Sequence, residues 1–145
     1  MSYIIQALIG KMDALDKHVT EFQHLHIIAL AQGMALVPLT NDLYDEIGSG
    51  NEIDHFQKLS PAVERWAMQM SCNSPIAYIE AEFFGGIGDQ GSMVWYGNTR
   101  VAGPIYSQDA INQALRFLGV QTGSAHDEFA AVGLGQFRYT HHWIQ

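Results

Sequence analysis

Apolar and polar residues alternate along Ile76-Ala77-Tyr78-Ile79-Glu80-Ala81-Glu82-Phe83-Phe84 with the period of two that a pleated strand imposes. Ala77, Ile79, Ala81 and Phe83 fall on one face, and Ile76, Tyr78, Glu80 and Glu82 on the other. A glycine loop follows, and Ser92-Met93-Val94-Trp95-Tyr96 reads as the hairpin partner of this strand. Gly97-Asn98 turns the chain, and Val101 to Ile105 adds a short strand. Tyr3 to Ile9 is apolar and β-prone and ends at Gly10. Two further apolar runs, His26 to Ala31 and Met34 to Leu39, flank Gln32-Gly33, a spacing that favours a tight hairpin. Pro38 has no N–H and puts the end of that second strand at an edge.

Helical spacing is found elsewhere. Met12, Leu15, Val19 and Phe22 recur weakly at helical intervals within 11–23. Thr40 or Asn41 caps a short helix to about Ile47, with Asp42, Asp45 and Glu46 near its positive end. Ser60-Pro61 starts a second helix striped by Val63, Trp66, Ala67 and Met70. Ser107 is read as the cap of a third, striped by Ile111, Ala114, Leu115 and Leu118 and stopped by Gly119. Ser124 to Asp127 reads as a capping box opening a short helix through Ala131, with Gly133-Leu134-Gly135 ending it. The aromatic tail, Phe137 to Ile144, is expected to dock on the domain. The pattern predicts a single α+β domain over 1–145, built of antiparallel hairpins with short helices packed on one side.

With 145 residues, 48% of them apolar, the chain is long enough to bury a core without disulfide or metal. Its one cysteine, Cys72, forms no internal disulfide and suits a reducing compartment. Without a basic leader before the first apolar run or a span-length apolar segment, a cytoplasmic location is expected and no membrane association. The formal charge is −8, and no lysine or arginine occurs between Lys17 and Lys58, a stretch that holds Glu21, Asp42, Asp45, Glu46, Glu52 and Asp54. Such a surface repels a phosphate backbone, which argues against nucleic acid, and is suited to a basic protein partner. It also serves plain solubility.

Catalytic motifs are incomplete. Gly86-Ile87-Gly88-Asp89-Gln90-Gly91 matches G-x-G-x-x-G, but a strand follows it where a dinucleotide site needs a helix. A kinase would need a lysine downstream, and none occurs after Lys58. The glycines Gly85, Gly86, Gly88 and Gly91 are read as shaping a wide hairpin through positive φ or bulges. Glu80 and Glu82 share a strand face with Tyr78, an arrangement open to acid–base work, ligand binding or plain exposure. His24 and His26 have a metal-ligand spacing, and a third ligand from Glu80 or Glu82 is conceivable only if the strands are neighbours. No cofactor is implied.

Tyr78-Ile79-Glu80-Ala81-Glu82-Phe83-Phe84-Gly85-Gly86, with Gln90 and Val94-Trp95 after it, resembles a group of small bacterial proteins. Ala110 to Leu115, Leu118-Gly119-Val120, Asp127-Glu128-Phe129 and Gly133-Leu134-Gly135 extend the likeness to roughly half the chain. The resemblance carries no activity and no site residues. In size and charge the chain is also similar to immunity proteins of bacterial toxin systems, which implies a non-enzymatic protein that covers a basic toxin. On that reading Asp42, Asp45, Glu46, Glu52 and Asp54, with Trp95 and Tyr96, form the partner-binding face. The alternative is a small enzyme or metal-dependent ligand binder using Glu80, Glu82 and Tyr78, with His24 and His26 nearby. A homodimer through an open sheet edge is compatible with either.

Overall fold

The computed structural model describes residues 2–144. In it one six-stranded sheet runs through the domain in the order β2-β3-β1-β4-β5-β6. The strands are β1 (Ser2–Lys11), β2 (Ile28–Ala29), β3 (Met34–Pro38), β4 (Ile76–Phe84), β5 (Ile87–Tyr96) and β6 (Thr99–Tyr106). All neighbours pair antiparallel, with β1 central between β3 and β4. The helices are α1 (Met12–Asp16), α2 (Asn41–Ile47), α3 (Pro61–Met70), α4 (Ala110–Phe117) and α5 (Glu128–Val132). Among the described residues no helix is long and apolar enough to cross a membrane.

The α+β architecture with antiparallel hairpins is as the sequence predicts, but the helices cover both faces of the sheet, not one. Leu8, Val37, Ile76, Tyr78, Met93 and Trp95 pack on one face with Leu15, Leu43, Val63, Trp66 and Met70 from α1, α2 and α3. Ile5, Ala7, Ile9, Leu36, Ala77, Ile79 and Val94 pack on the other with Ile111, Ala114 and Leu115 of α4, Val132 of α5 and Trp143. The central strands therefore bury both faces, which explains their near-continuous apolar runs. The C-terminal segment docks along β1: Ile4 N–H donates to the Arg138 carbonyl at 2.8 Å, and Gln6 N–H to Thr140 Oγ1 at 3.1 Å.

Local chemistry accounts for most element ends. Thr40 and Ser60 cap α2 and α3 by accepting from Leu43 and Val63 N–H. Gly119 and Gly133, both at positive φ, follow α4 and α5. Two predicted caps move. Asp109, not Ser107, precedes α4, and Ser107 Oγ instead bonds the Asp109 carboxylate at 2.9 Å. Asp127, not Ser124, caps α5 by accepting from Ala130 N–H at 2.8 Å.

The glycine loop of the main hairpin is a second correction. Phe84 pairs with Ile87, so Gly85-Gly86 alone makes the turn, with φ of 59° and 83°. Gly88 and Gly91 lie inside β5, where space and not positive φ demands glycine. A Cβ at Gly88 would sit 1.9 Å from the Glu82 carbonyl oxygen, and one at Gly91 would sit 2.9 Å from the Phe56 ring.

Candidate acidic cleft

β4 carries the core face outward into charge. Ile76 and Tyr78 lie under α3 and the loop that precedes it. Two and four residues beyond Tyr78 the same face presents Glu80 and Glu82. The tight Gly85-Gly86 turn sets Asp89 of β5 directly opposite Glu82, and Gly91 opposite Glu80. Opposed residues of an antiparallel pair share a face, so three carboxylates gather at the hairpin's far end. They line a cleft of about 760 Å³ together with His55, Gln57, Phe84, Tyr106 and Gln108. No lysine or arginine is among the lining residues.

The loop before α3 furnishes the inner wall. Phe56 stacks edge-on against Tyr78 and tilts over Tyr106, filling the space that Gly91 leaves. Gln57 spans both carboxylates: its N–H donates to Glu80 Oε1 and its Nε2 to Glu82 Oε2, each at 2.8 Å. The buried Tyr78 hydroxyl donates to Glu80 Oε1 at 2.7 Å and accepts from Lys58 N–H at 3.1 Å. Burial raises the Glu80 carboxyl above its ordinary range, and the nearby Glu82 charge adds to this. The Gln57 and Tyr78 donors oppose it. Burial foremost, with the Asp54 charge adding, pushes the Tyr106 phenol up to about 12, so it is a neutral donor at neutral pH. That donor goes to Asp54 Oδ2 at 2.9 Å, which places a fourth carboxylate at the cleft's margin. Phe84, Tyr106 and Ile87, the last 81% exposed, form an apolar rim.

The other candidate site residues singled out from the sequence do not line this cleft. Glu46 accepts from Gln23 and His24 N–H and from His24 Nδ1. Glu52 accepts from the Tyr44 hydroxyl and Gly50 N–H. Both carboxylates therefore fasten loops. Asp42 borders a separate hollow with His24, His26 and His141, and the charge of Asp45 acts on Lys58. Of the early carboxylates, Asp54 alone bonds a residue that lines the cleft. Trp95 is fully buried, with Nε1 donating to Glu64 Oε2 at 2.8 Å, so it cannot meet a partner; Tyr96, its neighbour, is the exposed one. Arg100 pairs with Glu64, and Arg116 with Asp109 and Glu128.

His24 and His26 precede β2 in irregular backbone, and β3 and β1 separate that strand from β4, so Glu80 and Glu82 are not their neighbours. Among the described residues no group of three or more His, Cys, Asp or Glu is placed to hold a metal ion.

Asp89, His55, Gln57, Tyr106 and Gln108 are the cleft residues that the sequence reading missed. Asp89 had a signal: a Gly-Gly pair between two strands marks a two-residue turn, and counting back from it aligns Asp89 with Glu82. No local pattern marks the other four, because the loop and the end of β6 reach the cleft only through the tertiary fold. Compared with family models, with curated proteins and with solved structures, the chain matches none.

Proposed function

We propose that this is a non-enzymatic binding protein that receives a positively charged group of a protein partner in the cleft over the far ends of β4 and β5. One observation carries the reading: Glu80, Glu82 and Asp89 share one concavity that no lysine or arginine lines. A cation there would replace some of the repulsion between the carboxylates with attraction, and the aromatic rim would hold its aliphatic stem. The face is thus shifted from residues 42–54 to the β4–β5 hairpin, with Asp54 common to both. Occlusion of a basic toxin, the mode of immunity proteins, is one form such binding takes. Spermidine titrated by calorimetry at low and high salt tests the cleft. Binding is expected to weaken with salt and to fall with Glu82→Gln and Asp89→Asn, while Asp42→Asn leaves it unchanged. Affinity indifferent to both cleft substitutions would overturn the reading.

The raised carboxyl of Glu80 favours a second reading, a small enzyme that uses Glu80 as a proton donor. Glu80→Gln separates the two. It abolishes turnover in the second reading and only weakens cation binding in the first.

A further inference from the structure

The cleft is bounded on one side by a strand edge that no further strand pairs with. β4 pairs with β5 from Ile87 through Trp95, whereas β6 pairs with β5 only from Gly91 onward, at Tyr106. Residues 87–90 therefore have a strand on one flank and none on the other. The Gly88 carbonyl points to that open flank, where Gln108 Nε2 donates to it at 2.9 Å. In an antiparallel strand the N–H and C=O of alternate residues point the same way, so the amides of Gly88 and Gln90 face outward together. All four residues of this edge line the cleft.

We propose that this edge of β5 docks an extended, basic segment of a partner protein, which joins the sheet as a short added strand. The inference rests on the cation-binding reading above and gives it a mode. Four residues at ~3.3 Å each would run the length of the open edge. Alternate side chains of the segment would lie over Asp89 and Glu82, so lysine or arginine fits there. Phe84 and Ile87 at the tip offer contact for an apolar residue. Charge decides against a second copy of this chain, because Asp89 would meet Asp89 or its acidic neighbours across such a pairing. The sheet's other edges are guarded in the usual ways: β2 is only two residues long, and β6 carries Pro104 and register shifts against β5. The 87–90 edge has neither proline nor lysine. Its guard is the exposed Gln108 amide, which holds one position that an incoming N–H would take over.

The test uses a blocked hexapeptide of alternating lysine and valine, with two counterparts N-methylated on one or the other alternate set of amides. Calorimetry gives affinity, and amide shifts of Gly88 and Gln90 locate the site. The unmodified peptide is expected to bind. Methylating the set that faces β5 should cost about tenfold or more, the consequence of one or two hydrogen bonds left unmade. Methylating the other set should cost little. Gln108→Ala should tighten binding several-fold by vacating the Gly88 carbonyl. If both methylated peptides bind like the parent, or if spermidine binds and the peptide does not, the docking edge is overturned and the cation cleft stands. If neither spermidine nor the peptide binds, both readings fall.

Discussion

The two halves of the β4–β5 hairpin are built on one pair of strands and behave as different materials. In the near half, Ile76 to Ile79 and Ser92 to Trp95 are buried to 1% exposure or less, with helices above and below and β6 alongside. In the far half the same two strands carry Glu80, Glu82 and Asp89 on one face and end in exposed Phe84 and Ile87. The backbone pairing continues unbroken from one to the other. What changes is the cover on the carboxylate face: β6 parts from β5 beyond Gly91, and the Phe56–Gln57 loop reaches across in place of a helix. Strand pairing thus makes the platform, and the absence of an apolar lid lets its end carry charge.

Substitutions sharpen this contrast. Trp95→Ala empties the centre of the near half and removes one of the hydrogen bonds to Glu64, which keeps Arg100, and should cost about 3–5 kcal/mol in denaturant unfolding. Gly88→Ala forces a methyl against the Glu82 carbonyl in the far half, and should cost roughly 1–3 kcal/mol. Its amide-shift changes should centre on the far half, and spread into the α4 core would argue that the halves are not separable. Glu80→Gln is expected to raise Tm at neutral pH while weakening spermidine, because Gln keeps the Tyr78 and Gln57 bonds and removes a desolvated charge. The folded-state pKa of Glu80 lies above its unfolded value, so the native state holds that proton more tightly. Its contribution to stability is full below the unfolded pKa and is lost as pH rises through the folded pKa. The Tm gap between wild type and Glu80→Gln should therefore close on acidification, and a gap constant with pH would rule out Glu80 as its source. The smallest effect is expected from Ile87→Ser, within about 0.5 kcal/mol of wild type in stability. A large loss there would mean the tip is packed in solution.

Legibility in the sequence divides along the same line. β4 and the starts of α2 and α3 could be read because alternation and Thr40 or Ser60-Pro61 capping are local signals. Glu80 and Glu82 were placed on one face with Tyr78 by counting in twos. The full cleft was not legible, since Gln57, Tyr106 and Gln108 arrive from separate parts of the chain and meet only once the sheet is assembled. Ser107 misled because the residue that precedes α4 is Asp109, two positions on, and Ser107 spends its hydroxyl on that residue's side chain. The early acidic stretch misled differently. Glu46 and Glu52 satisfy backbone N–H groups of irregular loops, a use of carboxylates that composition does not distinguish from a charged interface.

The central position of β1 also governs how the molecule is made. Of the six strands this one is translated first, yet Gly10 waits for Ile76 and Ser2 for Phe84 before its second flank is covered, and the clasp by Thr140 comes later still. Closing such distant pairs is entropically slow compared with forming helices, so the nascent chain carries an open apolar ribbon through much of its synthesis. The acidic residues translated in that interval would keep emerging chains apart until the sheet can close around its oldest strand.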